Sequence, residues 1–184
     1  SSDSAITSEA LATNNVLYSD VAGNGNGNFV LVYKKSSGEI YAQRYNASGS
    51  TVGSAILVSA TGISPKVEVN SAGDFVVTWA DTEIYAQRFN SSGVAQGSVI
   101  SVNTYTAGNQ LNPEVAMEAD GKFTIVWEGE GSGDTQGIFG RDFAANGTAL
   151  NSDYKINLYT TSAQSQPVIA VNPNGSSGFV IWEG

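Results

Sequence analysis

The residue types that most often carry out proton transfer or nucleophilic attack near neutral pH are missing from this chain. It has no His and no Cys in 184 residues, so a Ser-His-Asp triad, a Cys-His dyad and zinc-thiolate sites are all excluded. Carboxylates remain, and a pair of them suffices for glycosidase chemistry. The densest acidic loop is Glu128-Gly-Glu-Gly-Ser-Gly-Asp134. Its plain reading is a solvated connection between strands. Its sharper reading is a calcium site built from Glu128, Glu130 and Asp134, because hard cations take several oxygens on a flexible Gly-rich loop. A second constellation is repeated: Tyr41 stands three residues before Arg44, and Tyr85 three before Arg88. An aromatic ring and a guanidinium at this spacing could grip a sugar or carboxylate. The competing expectation, which we favour, is that each Arg ties neighbouring units together. The stretch Asp20-Val-Ala-Gly-Asn-Gly-Asn-Gly-Asn28 is oxygen-rich, but it lacks the terminal Glu of an EF-hand loop and the strand-then-helix setting of a phosphate loop, so it reads as a long turn. Sequons at Asn46, Asn90, Asn146 and Asn174 sit in turn sequences where Asn and Gly serve backbone geometry whether or not sugar is attached.

These side chains have to be positioned by an internal repeat. Gly27-Asn-Phe-Val-Leu-Val-Tyr33, Gly73-Asp-Phe-Val-Val-Thr-Trp79, Gly121-Lys-Phe-Thr-Ile-Val-Trp127 and Gly178-Phe-Val-Ile-Trp182 read as copies of one strand, with Phe29, Phe75, Phe123 and Phe179 spaced 46, 48 and 56 apart. A second strand recurs as Ile40-Tyr-Ala-Gln-Arg-Tyr-Asn46, Ile84-Tyr-Ala-Gln-Arg-Phe-Asn90 and, more loosely, Ile138-Phe-Gly-Arg-Asp-Phe-Ala144. Each unit parses into four strands. Strand one begins at Pro65, Pro113 or Pro167, where a missing N–H costs no ladder bond. Strand two runs from Phe to Trp, strand three is the Tyr-Ala-Gln-Arg segment, and strand four carries Ile56-Leu-Val58, Ile100-Ser-Val102 or Ile156-Asn-Leu158. Alternation with period two puts Phe75, Val77 and Trp79 on one face and Val76 and Thr78 on the other.

Four antiparallel strands every 40 to 50 residues or so is the signature of a propeller blade. The expected fold is therefore all-β, a β-propeller-like array of about four four-stranded repeats; a β-sandwich or an open solenoid would also be all-β but has less reason to repeat the same aromatics. The expected division is an N-terminal closing strand over 1–14, repeats over 15–62, 63–109 and 110–163, and a partial repeat over 164–184. Ser4 to Thr13 resembles a strand four and could close the last blade, in its own chain or in a neighbour's.

Composition bounds the partners. With 8 Lys and Arg against 17 Asp and Glu, the net charge is −9, which repels nucleic acid and anionic lipid. No apolar run is long enough for a transmembrane helix. The chain opens on Ser1 and its only Met is Met117, which fits a removed leader, an engineered start or a piece of a longer chain.

The phrases Gly73-Asp-Phe-Val-Val-Thr-Trp79 and Ile84-Tyr-Ala-Gln-Arg-Phe-Asn-Ser-Ser-Gly-Val-Ala-Gln-Gly-Ser98, followed by Val102-Asn-Thr-Tyr-Thr-Ala-Gly108, resemble repeats of very large secreted bacterial proteins, adhesin-like and often carrying haemolysin-type calcium repeats elsewhere. The resemblance covers nearly the whole chain and is strongest from 63 to 128. It implies an extracellular, bacterial cell-surface role. The resulting expectation is a secreted structural or adhesive protein, without enzymatic activity, that self-associates through its terminal strands into filaments or a surface layer. The alternative is a carbohydrate-binding propeller lectin that meets cell-surface or matrix polysaccharide. Calcium is the one cofactor expected.

Overall fold

The computed structural model of the chain describes residues 16–184. Among these residues there is no helix. The strands are β1 (Val16–Gly23), β2 (Phe29–Lys35), β3 (Ile40–Tyr45), β4 (Thr51–Ser59), β5 (Ile63–Val69), β6 (Phe75–Ala80), β7 (Ile84–Phe89), β8 (Ala95–Ser101), β9 (Gln110–Met117), β10 (Phe123–Gly131), β11 (Asp134–Phe143), β12 (Tyr154–Lys155), β13 (Ser165–Val171) and β14 (Gly178–Glu183). They form three four-stranded antiparallel meanders, β1–β4, β5–β8 and β9–β12, and the pair β13–β14. The first strand of each sheet lies against the first strand of the next. The sheets are thus successive blades of a propeller, and the chain does not form a sandwich.

The repeated aromatics are explained by how one blade covers the next. Pleating puts alternate side chains on opposite faces. On one face of each complete blade two aromatic pairs stack across strands two and three: Phe29 on Tyr45 and Tyr33 on Tyr41, Phe75 on Phe89 and Trp79 on Tyr85, Phe123 on Phe143 and Trp127 on Phe139. The other face carries small or branched residues. Val30, Val32, Ile40 and Ala42 of blade 1 pack under Phe75, Val77, Trp79 and Phe89 of blade 2. Val76, Ala80, Ile84 and Ala86 of blade 2 pack in the same way under Phe123, Ile125, Trp127 and Phe143 of blade 3.

The hairpins share one chemistry. At Asn46 and Asn90 the side-chain Oδ1 accepts backbone N–H bonds from two and four residues on, at 2.9–3.1 Å. Gly49 and Gly93 follow at φ of 79° and 80°, the left-handed region that a side chain disfavours. The first two sequons therefore stand in turns that need Asn for their own geometry. A polar clasp also recurs. Asn103 accepts the Ile84 N–H at 2.8 Å and donates to Glu83, while Asn157 accepts the Ile138 N–H at 2.8 Å and donates to Asp134.

Three expectations need correction. The repeat prolines do not open their strands. Pro65, Pro113 and Pro167 lie inside β5, β9 and β13 at breaks in the pairing register, and a bulge tolerates the missing N–H there. Phe179 is not the equivalent of Phe123. Val168 pairs with Ile181 as Glu114 pairs with Val126, so Trp182 matches Trp127, Gly178 takes the Phe position, and Phe179 falls on the small-residue face. It is 76% exposed there. Strand four of blade 3 is only Tyr154–Lys155, because the chain before it leaves the ladder: the Asn151 side-chain Oδ1 takes the Asp142 N–H at 3.0 Å in place of a strand carbonyl. Ser4 to Thr13 lies outside the described residues.

Candidate functional site: the axial cavity

The inner strands β1, β5, β9 and β13 line an open cavity of about 640 Å3 on the axial side of the blades. One position of the repeat controls its chemistry. Asp20, Lys66, Glu114 and Val168 occupy equivalent places, each paired with the residue before the strand-two Tyr or Trp. The residue after each is Val or Ile in every copy, yet these four differ in charge. Two of them reach forward to the next blade. Asp20 Oδ2 accepts the Val67 N–H at 2.9 Å, and Lys66 Nζ pairs with the Glu114 carboxylate. The inner edge of a propeller blade leaves N–H groups without a strand partner, and Asp20 satisfies one of them.

The residue before each proline is the second distinctive element. Ser64, Asn112 and Gln166 have φ of 49°, 45° and 55°. A non-glycine residue rarely adopts this conformation, and the following proline makes it less favourable still, at a cost of about 1–3 kcal/mol each. Here it recurs at one position of three blades, and all three side chains line the cavity. Ser64 Oγ donates to Asn112 Oδ1 at 3.3 Å, and the Gln166 N–H donates to Glu128 Oε2 at 2.7 Å. Two aromatic rings complete the wall, Tyr18 at 46% and Trp182 at 37% exposure. Trp182 is held by its Nε1–H on Gln164 Oε1 at 2.9 Å. Amides, a carboxylate and partly bare rings around one cavity are the groups that hold a polyhydroxylated ligand.

Two carboxyls near the axis are held above the ordinary value of 4.5. Burial pushes Glu114 up, against the opposing pull of its hydrogen bond and charge contact with Lys66, and the Asp20 charge adds to the rise. Burial also pushes Glu68 up, again with Asp20 contributing, while the Val69 N–H opposes it. A carboxyl raised in the folded state binds more protons there than in the unfolded chain, so stability falls as pH rises from 4.5 through the raised values. The melting temperature is therefore expected to hold or rise as the pH is lowered from 7 towards 5. Glu68→Gln should melt higher than the parent at pH 7 and show a shallower pH slope. A steeper slope in that variant would contradict the assignment.

The sequence-based site residues lie elsewhere. Tyr41 and Arg44 fall on opposite faces of β3, as do Tyr85 and Arg88 on β7, because an odd spacing in a strand reverses the side chain. The tyrosines stack on Tyr33 and Trp79. Each Arg Nη1 donates to a turn carbonyl of the following blade, Arg44 to Ser91 at 2.8 Å and Arg88 to Asn146. A repeated pocket in which the Tyr and the Arg grip one ligand is thus not formed, and the favoured tie between blades is. Glu128, Glu130 and Asp134 do not converge either. Glu128 serves the Gln166 N–H, Glu130 stands beside Gly108, and Asp134 is buried against Asn157. Their register places them along a widened hairpin, and among the described residues no group of three or more acidic side chains is placed to hold a metal ion.

No family model and no curated protein matches the sequence. Solved structures do. A mutant of the GH43 protein BlXynB from Bacillus licheniformis superposes with a TM-score of 0.56 at 11% identity, over 92% of this chain and 37% of that one. A xylan β-1,4-xylosidase from Bacillus halodurans gives 0.54 at 14% identity, over 88% and 36%. A protein of unknown function from Bacteroides caccae gives 0.50 at 17% identity, over 85% and 50%. The chain thus spans about a third to a half of the length of these structures. At such identities the likeness is one of fold, and the fold is a propeller that glycoside hydrolases use. This overturns the expectation that the chain is not an enzyme. That expectation rested on the missing His and Cys together with the resemblance to adhesin-like repeats, and glycoside hydrolysis requires neither His nor Cys.

Proposed function

We propose that the chain belongs to a carbohydrate-active propeller and holds an oligosaccharide in its axial cavity. The observation that carries the reading is the ring of strained polar residues, Ser64, Asn112 and Gln166, set between the exposed faces of Tyr18 and Trp182. Strain kept at one repeat position, with all three side chains turned to one cavity, is more economical as a binding feature than as a folding one. The neighbours named above support this reading over the adhesive, filament-forming one. Hydrolysis of the bound glycoside is a second reading, favoured by Glu114: a partly buried carboxyl with a raised pKa is the kind of group that serves as proton donor to a leaving oxygen.

Titration with xylo-oligosaccharides, the substrate class of the Bacillus halodurans neighbour, tests both. Binding should quench the fluorescence of Trp182, and Trp182→Ala should weaken it by about tenfold or more, as expected for an aromatic anchor. Release of reducing sugar that disappears in Glu114→Gln, with binding retained, would establish the hydrolytic reading. Flat calorimetric titrations across a panel of neutral glycans, with protein shown to be folded, would overturn the axial site.

A further inference from the structure

Consecutive blades meet at two seams that carry equivalent pockets, and the two differ in charge. The seam between blades 1 and 2 encloses about 200 Å3 around Arg44, and the seam between blades 2 and 3 about 150 Å3 around Arg88. Both guanidinium groups use Nη1 to tie the next blade. Around Arg88 the lining includes two carboxylates, Asp74 and Asp120. The equivalent positions around Arg44 are Asn28 and Ala72, and among the described residues no acidic one lines that pocket. The equivalent position of blade 3 is Asp142, which pairs with Thr124 as Arg88 pairs with Val76; Arg141 falls on the opposite face of its strand, with Asp153 at 3.9 Å. In a chain of net charge −9, Arg44 is thus the one of the two seam arginines whose pocket lacks a counter-charge among the described residues.

Its hydrogen bonding is incomplete as well. The Arg44 Nε–H is buried and has no acceptor among the described residues. A desolvated donor on a charged group, left unpaired, is costly enough that native proteins rarely keep one without a use. The other polar groups of the pocket also offer donors. Asn24 Oδ1 is occupied by the N–H groups of Asn26 and Asn28, both at 3.1 Å, which leaves its NH2 group as a donor beside Gly73.

We propose that the Arg44 pocket is a second ligand site, distinct from the axial cavity, and that it takes a carboxylate-bearing sugar such as a uronic acid residue of an acidic polysaccharide. The carboxylate would supply the missing counter-charge, and a guanidinium pairs more strongly with a carboxylate than with a neutral acceptor. The volume admits one sugar ring. The proposal does not depend on what the axial cavity binds.

The test is a titration with D-glucuronate, followed in 1H–15N spectra at the Arg44 Nε–H and at the side-chain amides of Asn24, Asn26 and Asn28. Acetate, D-glucose and inorganic phosphate serve as separate probes. Glucuronate should shift these signals at saturable concentrations, acetate should shift the same signals more weakly, and glucose should shift none. Asn28→Asp should weaken glucuronate by about tenfold or more, because it places a carboxylate beside the guanidinium. That variant should fold, since blade 2 carries Asp74 at the same position, where it accepts the Ser91 N–H at 2.8 Å. Glu114→Gln, at the axis, should leave glucuronate binding unchanged. The proposal is overturned by equal binding in parent and Asn28→Asp, by absence of glucuronate shifts at these groups, or by phosphate binding there more tightly than glucuronate.

Discussion

Trp127→Ala will lower the unfolding free energy by about 3–5 kcal/mol, read as a shift in the urea midpoint. The indole is 1% exposed, stacks on Phe139, and lies in the layer where blade 3 covers blade 2. Its loss opens a cavity between two sheets that are each held by their own ladders, so neither can collapse far to fill it. There is a polar component too. The Trp127 Nε1–H donates to Gln110 Oε1 at 2.9 Å, and Gln110 is itself 1% exposed, with its amide committed to the Ala107 and Glu130 carbonyls. Trp127→Phe separates the two contributions. It keeps an aromatic ring over Phe139 but strands the Gln110 oxygen, and should cost about 1–3 kcal/mol. Equal midpoints for the alanine variant and the parent would show that the seam between blades 2 and 3 does not carry the stability assigned to it.

Asn157→Ala is expected to cost about 2–4 kcal/mol, far more than the removal of a loop amide. Asn157 is 1% exposed and makes three hydrogen bonds, accepting from the Ile138 N–H and donating to Asp134 and to the Tyr159 carbonyl at 2.6 Å. The truncation leaves a buried amide proton and a buried carboxylate with fewer partners. Asp134→Asn in the same background should recover part of the loss, because a neutral amide is cheaper to bury than a carboxylate. If the single variant melts with the parent, the clasp is ornamental and Asp134 is free for another role.

The clasp also shows where reading the sequence stops. Asn103 and Asn157 could have been found by aligning Val102-Asn-Thr-Tyr105 with Ile156-Asn-Leu-Tyr159, since both stand at one repeat position. Their partners could not, because Glu83 and Asp134 lie 20 and 23 residues away and only the closing of strand three on strand four brings them in reach. The axial site follows the same logic. The differing charges at Asp20, Lys66, Glu114 and Val168 are visible beside a position that stays Val or Ile in every copy, Val21, Val67, Val115 and Ile169. That this place faces an axis, and that Lys66 and Glu114 meet across two blades, depends on how the blades are arranged around it.

The sequence by itself determined the blade. Period-two alternation, the Asn and Gly of the hairpins and the recurring Phe and Trp positions are local instructions, satisfied within about fifty residues by strand pairing and turn geometry. It also determined that acid–base chemistry by these residues uses carboxylates, Lys or Tyr and not His or Cys. Only the tertiary structure decided which side chains share a site. The odd spacing of Tyr41 and Arg44 looks like a pair in the sequence, yet pleating sends one to a stack and the other to the next blade. Asp20 and Val67, 47 residues apart, are joined because successive inner strands lie side by side. Strand periodicity acts over a few residues, whereas the seams and the axis arise from the packing of whole sheets, and a site formed there has no short-range signature.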